Sequence, residues 1–233
     1  MAESSTIIAA LRFQGGVIIG ADSQVSDTTA LVRWPLEKLE RVGAHPIVLG
    51  FSGSLGRAQK ARANLEAARL HSSQFNKREL VRAVFDSTLA PIYKDITSKN
   101  HPGSNWPQLA LWGLSAVWAG GGPHILEFEI NGDSCFHDYF HAIGSASQTA
   151  YAIHRTLGGK LLSELDERKA VWAVLRILKT CVDVEVAGVN EPLSLWVFTA
   201  ASKVRKLQID EIQAELQGVD EWEQKERRSF FDS

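Results

Sequence analysis

The sequence predicts an α+β domain in which antiparallel sheets and helices are stacked in layers, and two observations carry that prediction. Along the 233 residues the apolar patterns run as strands, two helices, strands, two helices, strands. Helices grouped between sheet segments, rather than alternating singly with strands, disfavour a parallel doubly wound sheet. The second observation is continuity: no repeat, low-complexity tract or composition break marks a linker, so the chain reads as one domain with ample length for a core.

The elements follow in order. Ile7 to Phe13 and Val17 to Ala21 are β-rich runs joined through Gln14-Gly15-Gly16 as a hairpin. Ile47 to Ser52 is a further apolar strand, closed by Gly53. Leu55, Ala58, Ala61, Leu65 and Ala68 then recur at helical spacing, and the alanines imply close packing on a neighbour. Leu80, Val84, Thr88 and Ile92 mark a second helix, which Pro91 is expected to kink or end. Ser98 to Pro107 is rich in turn formers and reads as an exposed loop. Strands follow at Leu109 to Trp118, His124 to Ile130 and Ser134 to His137, the last two joined across Asn131-Gly132, the strongest hairpin signal present.

A helix extends from beyond Gly144 towards Leu157. Another is expected to start at Ser163, whose spacing to Asp166 fits a capping box, with Val171, Val174, Leu178 and Val182 on one face. Leu193 to Phe198 and Val204 to Gln208 are the last strands, and the charged tail from Asp210 reads as a surface helix.

Charged residues are 22% and the net charge is −2, which gives no electrostatic case for nucleic acid or an anionic membrane as partner. The longest apolar run, Leu109 to Gly122, contains Ser115 and falls short of the roughly 18 residues that span a bilayer. MAESS lacks the basic start and apolar core of a signal peptide, so a cytoplasmic protein is expected, acting on proteins, peptides or small molecules. Cys135 and Cys181 stand far apart without metal-type spacing and read as buried thiols. Of the histidines, His137 and His141 with Asp138 come closest to a metal cluster, but a turn between two strands accounts for them, and no metal or cofactor is expected. The tryptophans, among them Trp106 and Trp112, are scattered, which suits core and subunit contacts better than nucleotide stacking.

Thr6 heads the first strand, where a threonine is ordinarily a strand former and nothing more. Asp22 alters that reading, because a carboxylate at the end of an apolar strand needs a partner. Lys38 lies in RWPLEKLER beside apolar positions, and Gly53 follows a buried strand at a sharp turn. Taken singly, Lys38 could be a solvated lysine, Gly53 a turn glycine, and Ser145 or Asp183 a helix cap or surface polar group.

TIIAALRFQGGVIIGADS at Thr6 to Ser23, Lys38, FSGS at Phe51 to Ser54, AIGSAS at Ala142 to Ser147, and Asp183, in that order, resemble the β-type proteasome subunits. The spacing from Thr6 to Asp22 and Lys38 matches without gaps, and a one-residue insertion brings Gly53 into register. The likeness covers nearly the whole chain, weakest from Ser72 to Gly122 and in the tail. The short leader and the chain length are most similar to the bacterial homologue described from β-proteobacteria.

The resemblance implies an N-terminal-nucleophile hydrolase: a four-layer αββα sandwich of two antiparallel sheets, with a leader at 1–5, the domain at 6–209 and a charged tail at 210–233. It implies a threonine-type endopeptidase in which Thr6 becomes the first residue, its Oγ attacks the scissile carbonyl and its freed α-amine is the base. Lys38 would ease loss of the hydroxyl proton, Asp22 would hold Lys38, Gly53 would give its N–H to the oxyanion, and Ser145 and Asp183 would orient the amine. Val25 and Ser26 would pair with an extended substrate, and Phe51 would restrict the pocket for the residue before the cut bond. The implied partners are a protein or peptide substrate, further copies in two stacked rings, tetradecameric in preference to dodecameric, and an ATP-dependent unfoldase, with no nucleic acid and no membrane.

Leader removal is a chemical requirement of that scheme. An α-amine with a pKa of about 7.7 to 8.0 can accept a proton near neutrality, whereas a peptide nitrogen cannot. A threonine hydroxyl is a weak nucleophile without such a base. Three positions depart from the family pattern: Ser5 and Ala146 replace glycines, and Val186 replaces a serine near Asp183. Two alternatives therefore stand beside the peptidase: an unprocessed, inactive structural or peptide-binding ring subunit, and a small-molecule amidase on the same fold.

Overall fold

The computed structural model describes residues 6–27, 32–68, 70–98, 111–129, 133–184, 189–201 and 204–231. The leader, the Asn131-Gly132 turn, Val186, Trp106 and the loop expected after Ser98 lie outside the described residues.

Two five-stranded sheets make the centre of the molecule, and every pairing in them is antiparallel. The strands Ile8–Phe13 (β1), Gly16–Ala21 (β2), Phe140–Ile143 (β10), Ser194–Thr199 (β11) and Arg205–Lys206 (β12) form the first, in the order β10-β1-β2-β11-β12. The strands Leu39–Arg41 (β5), Ile47–Gly53 (β6), Leu111–Ala119 (β7), Gly122–Phe128 (β8) and Ser134–His137 (β9) form the second, in sequence order. Gln24–Asp27 (β3) and Val32–Pro35 (β4) pair separately as a two-stranded ribbon.

Strand alternation explains the layering, since successive side chains point to opposite faces. Ile8 and Ala10 of β1 and Val17, Ile19 and Ala21 of β2 turn inward to meet Val48, Leu114, Ala116 and Ile125 of the second sheet. The residues between them, Ala9, Leu11 and Ile18, face outward to the helix Glu167–Asp183 (α4), which contributes Val171, Val174 and Leu178. Gly20 lets α4 sit this close, because a Cβ there would stand 2.7 Å from Leu178 Cδ1. The helix Ser147–Thr156 (α3) completes the layer, and Ile209–Phe231 (α5) packs on α4 through Ile212 and Val219. On the other side Leu55–Ala67 (α1) and Arg78–Ser98 (α2) cover Ile47, Leu49 and Phe51 with Ala58, Ala61, Leu65, Phe85 and Leu89. Three apolar seams thus separate four layers, the αββα sandwich that the resemblance implied.

Local differences from the sequence reading have identifiable causes. Pro91 stands inside α2 without ending it; Ile92 and Tyr93 are buried just beyond, and their packing sustains the helix past the lost backbone bond. The helix expected from Ser163 begins at Glu167 instead, because the Asp166 carboxylate accepts from Lys169 N–H at 2.9 Å and acts as the N-cap. Ser163 belongs to a preceding 3-10 turn, Gly159–Glu164, and its hydroxyl donates to the Lys160 carbonyl. Strands β3, β4, β5 and β10 are too short to announce themselves by pattern. Cys135 is exposed because β9 is an edge strand, whereas Cys181 is buried on α4. Among the described residues no helix is long and apolar enough to cross a membrane.

Leu178 is fully buried where α4 meets Gly20. Truncation to Ala is expected to lower stability by about 2–5 kcal/mol, read as a lower urea midpoint at unchanged slope.

Candidate active site

Sheet register assembles the site. Ile8 pairs with Ala21 on one side and with Ile143 on the other. The residues just past those pairs therefore converge on Thr6: Asp22 from the end of β2, Gly144 and Ser145 from the end of β10. The Thr6 N–H donates to Ser145 Oγ at 3.1 Å, and the Thr6 carbonyl accepts from Ala146 N–H at 3.4 Å. Gly144, at φ +102°, permits this approach, since a Cβ there would lie 2.0 Å from the Thr6 carbonyl oxygen. Gly144 is a positioning residue that the sequence reading quoted only inside AIGSAS; the signal was a glycine directly ahead of Ser145.

Asp22 is wholly buried and fully engaged. Its Oδ1 accepts from Ile7 N–H at 2.9 Å, and its Oδ2 from Gln24 N–H at 3.1 Å and Asn190 N–H at 3.4 Å. Lys38, only 4% exposed, enters beside it just ahead of β5. Its Nζ donates to Asp22 Oδ1 at 2.7 Å and to Thr6 Oγ at 3.1 Å. Burial is the largest influence on both groups, lifting Asp22 above the usual carboxylate range and drawing Lys38 below the usual ammonium range, while their mutual attraction opposes both shifts. A cation thus points at the threonine hydroxyl, on a carboxylate whose other lone pairs are held by backbone.

Thr6, Leu36, Lys38, Phe51, Gly53, Leu55, Ala58 and Arg62 line one narrow cleft. Gly53, at φ +112°, ends β6 on its floor, a conformation that favours glycine. The first turns of α1 supply Leu55 and Ala58, so a helix N-terminus with its partial positive charge adjoins the cleft. Phe51 is 7% exposed, its ring packed over Gly113. Arg62, one turn beyond Ala58, was not singled out in the sequence. It donates to the Lys38 carbonyl at 2.7 Å and pairs with Glu40 at 2.9 Å, bracing the segment that carries Lys38.

Val25 and Ser26 lie in β3, directly after Gln24, and pair with Trp34 and Arg33. Asp183 is placed differently from the others. It ends α4, exposed, and among the described residues no hydrogen bond joins it to Thr6. Two residues is about 200° around a helix, so the side chain that α4 turns towards the site is Cys181. Its Sγ lies 3.8 Å from the Ala146 carbonyl, and burial, with the Asp22 charge adding, pushes the thiol up to about 12.

The two stacked sheets, with a threonine at the head of the first strand over a buried lysine–aspartate pair, define a proteasome-type sandwich. The family model described as proteasome subunit matches residues 1–191, and the chain belongs to that family. Its membership implies ring-type assembly. Among solved structures it is similar to Anbu (ancestral beta-subunit) from Yersinia bercovieri, at 13% identity and a TM-score of 0.76, covering 97% of each chain. It is similar also to an Anbu (Gly-1) mutant from Hyphomicrobium sp. strain MC1, at 14% identity and a TM-score of 0.74, covering 98% of this chain and 97% of that one. No curated protein matches the sequence.

Lys38→Met strands a buried carboxylate and is expected to cost about 3–5 kcal/mol of stability. Adding Asp22→Leu to it is expected to recover part of that loss, and urea unfolding of the parent, single and double variants checks both statements.

Proposed function

We propose that this protein is a threonine-type endopeptidase subunit of a proteasome-like ring, with Thr6 as nucleophile once the segment 1–5 has been removed. The observation that supports the reading best is the hydrogen-bonded series Ser145 Oγ, Thr6, Lys38 Nζ and Asp22 Oδ1, all within 3.1 Å steps. In the intact chain the Thr6 nitrogen is a peptide N–H bonded to Ser145. Hydrolysis of the Ser5–Thr6 bond would leave the α-amine at the same place, with Ser145 to orient it.

Thr6 Oγ then attacks the scissile carbonyl while its proton passes to the α-amine; Lys38 lowers the cost of the developing alkoxide. The oxyanion of the tetrahedral intermediate takes the Gly53 N–H, a contact of the kind worth about 2.7 to 4 kcal/mol of barrier. Collapse breaks the C–N bond, and the ammonium returns its proton to the departing amine. Water hydrolyses the ester on Thr6 and regenerates the hydroxyl. The substrate would be an extended protein or peptide segment pairing its backbone along Val25 and Ser26, with Phe51 restricting the side chain before the cut bond. Stacked rings, tetradecameric in preference to dodecameric, would enclose these sites in the cytoplasm, and an ATP-dependent unfoldase would feed them.

Asp183 favours a second reading. With that carboxylate exposed at the end of α4, the family's amine-orienting set is thinner here, as an unprocessed structural or peptide-binding ring subunit would tolerate.

Intact mass and peptide cleavage separate the two readings. Purified protein is expected to lose Met1 to Ser5 and to cut fluorogenic peptides; Thr6→Ala abolishes both, and Ser5→Gly, by relieving the turn before Thr6, speeds the mass change. A leader that persists in the parent and in Ser5→Gly, with no Thr6-dependent cleavage, sinks the peptidase reading. Light scattering is expected to give a mass of many subunits, and a monomer would count against both readings.

A further inference from the structure

A second group of side chains gathers where the two sheets meet at an edge. Glu127 lies on β8, with Cys135 of β9 directly opposite it. Strand alternation then puts His137, the last residue of β9, on the same face. The chain crosses to the first sheet through Asp138 and Tyr139, and β10 returns His141 to the group. His137 Nε2 stands 2.8 Å from Glu127 Oε2, and His141 Nε2 stands 2.9 Å from Glu127 Oε1. One ligand atom from each of the three residues lies within 4.8 Å of the others.

Three features distinguish this group from the turn that the sequence suggested. The imidazole rings stack at 3.7 Å between centroids, so both edges are presented to the same carboxylate. His141 is oriented from behind: its Nδ1 is 2.7 Å from the Tyr151 hydroxyl, which also receives Ala142 N–H at 3.5 Å. An Nδ1–H donated to that phenol leaves Nε2 with its lone pair, the arrangement of a metal-ligating histidine held by an outer partner. Finally, His141 Nε2 is buried and, despite its nearness to Glu127, has no aligned hydrogen bond among the described residues. With a proton on His137 Nε2 that nitrogen donates to the Glu127 carboxylate; a divalent cation taking the place of that proton would engage His141 Nε2 as well.

We propose that Glu127, His137 and His141 bind a single divalent ion of the zinc class, which ties the second sheet to the first at this edge. Two imidazoles and a carboxylate suit a borderline metal, with bonds of about 2.0–2.2 Å and a position left for water. At such bond lengths tetrahedral ligands stand about 3.3 Å apart, so a small outward movement of the carboxylate admits the ion. The partly exposed His137, at 24%, marks the side from which it enters.

The test uses the full chain with Cys135→Ser, which takes the exposed thiol out of contention. Co2+ absorption and Zn2+ calorimetry are expected to give one equivalent per chain, with Zn2+ raising the unfolding temperature. Glu127→Gln, His137→Gln and His141→Gln should each weaken binding at least about tenfold, and Tyr151→Phe, which keeps the ring packing, should weaken it less. Circular dichroism identifies any variant that fails to fold, and Glu127→Gln then carries the comparison. Affinity unchanged in the folded ligand variants, or no saturable binding by the parent, overturns the proposal.

Discussion

The buried contact between Lys38 and Asp22 is the constraint around which the rest of the site is arranged. Taking both charges out of water is costly, and their 2.7 Å attraction offsets that cost only with further hydrogen bonds. The fold supplies them from three separate places: Ile7 at the head of β1, Gln24 at the start of β3, and Asn190 ahead of β11. Each backbone segment is thereby held to one carboxylate, and Lys38 is left with a defined direction in which to point its remaining donors. That direction is the hydroxyl of Thr6.

The precision of the arrangement comes from backbone rather than from long side chains. Antiparallel register fixes β1 between β2 and β10, and the ends of all three reach the same level of the sandwich. Gly144 removes the one atom that would keep Ser145 away from Thr6, and Gly53 lets the chain turn sharply from β6 into α1 beneath the cleft. A site on strand ends inherits the stiffness of the sheets, whose inner seam is filled by Ile8, Ala10, Ile19, Val48 and Leu114. Arg62 extends the same principle outward, fixing the main chain of Lys38 rather than touching the hydroxyl itself.

The two groups of titratable side chains in this fold divide the molecule's chemistry. Around Thr6 the polar atoms are enclosed, with Ser145 on its N–H and Lys38 on its hydroxyl. Around Glu127 burial tends to raise the carboxyl, but the hydrogen bond with His137 and the nearness of His141 outweigh it and hold it at about 2. One group lies at strand ends beside a narrow cleft; the other lies where the chain passes from sheet to sheet, a place suited to fastening layers together.

The layer order, the hairpin of β1 and β2 and the helices α1, α3 and α4 were legible in the sequence, because periodicity is a local property of a chain; the set Thr6, Asp22, Lys38, Gly53 and Ser145 was marked out by the family resemblance, and the fold brings its members together. Strands β3, β4, β5 and β10 were not legible, since a strand of three or four residues is defined by its partners and not by its pattern. The start of α4 at Asp166 rather than Ser163 turned on which oxygen reached a free N–H. Asp183 and Cys181 show the limit best: both are near the end of one helix, and only the rotation of α4 against β1 and β2 turns the thiol inward and the carboxylate out. In the same way His137 and His141 read as a turn until the fold brought Glu127 beside them. The sequence by itself determined which residues are candidates for chemistry; the tertiary structure decided which of them meet, because strand register and helix rotation are set by packing between segments far apart in the chain.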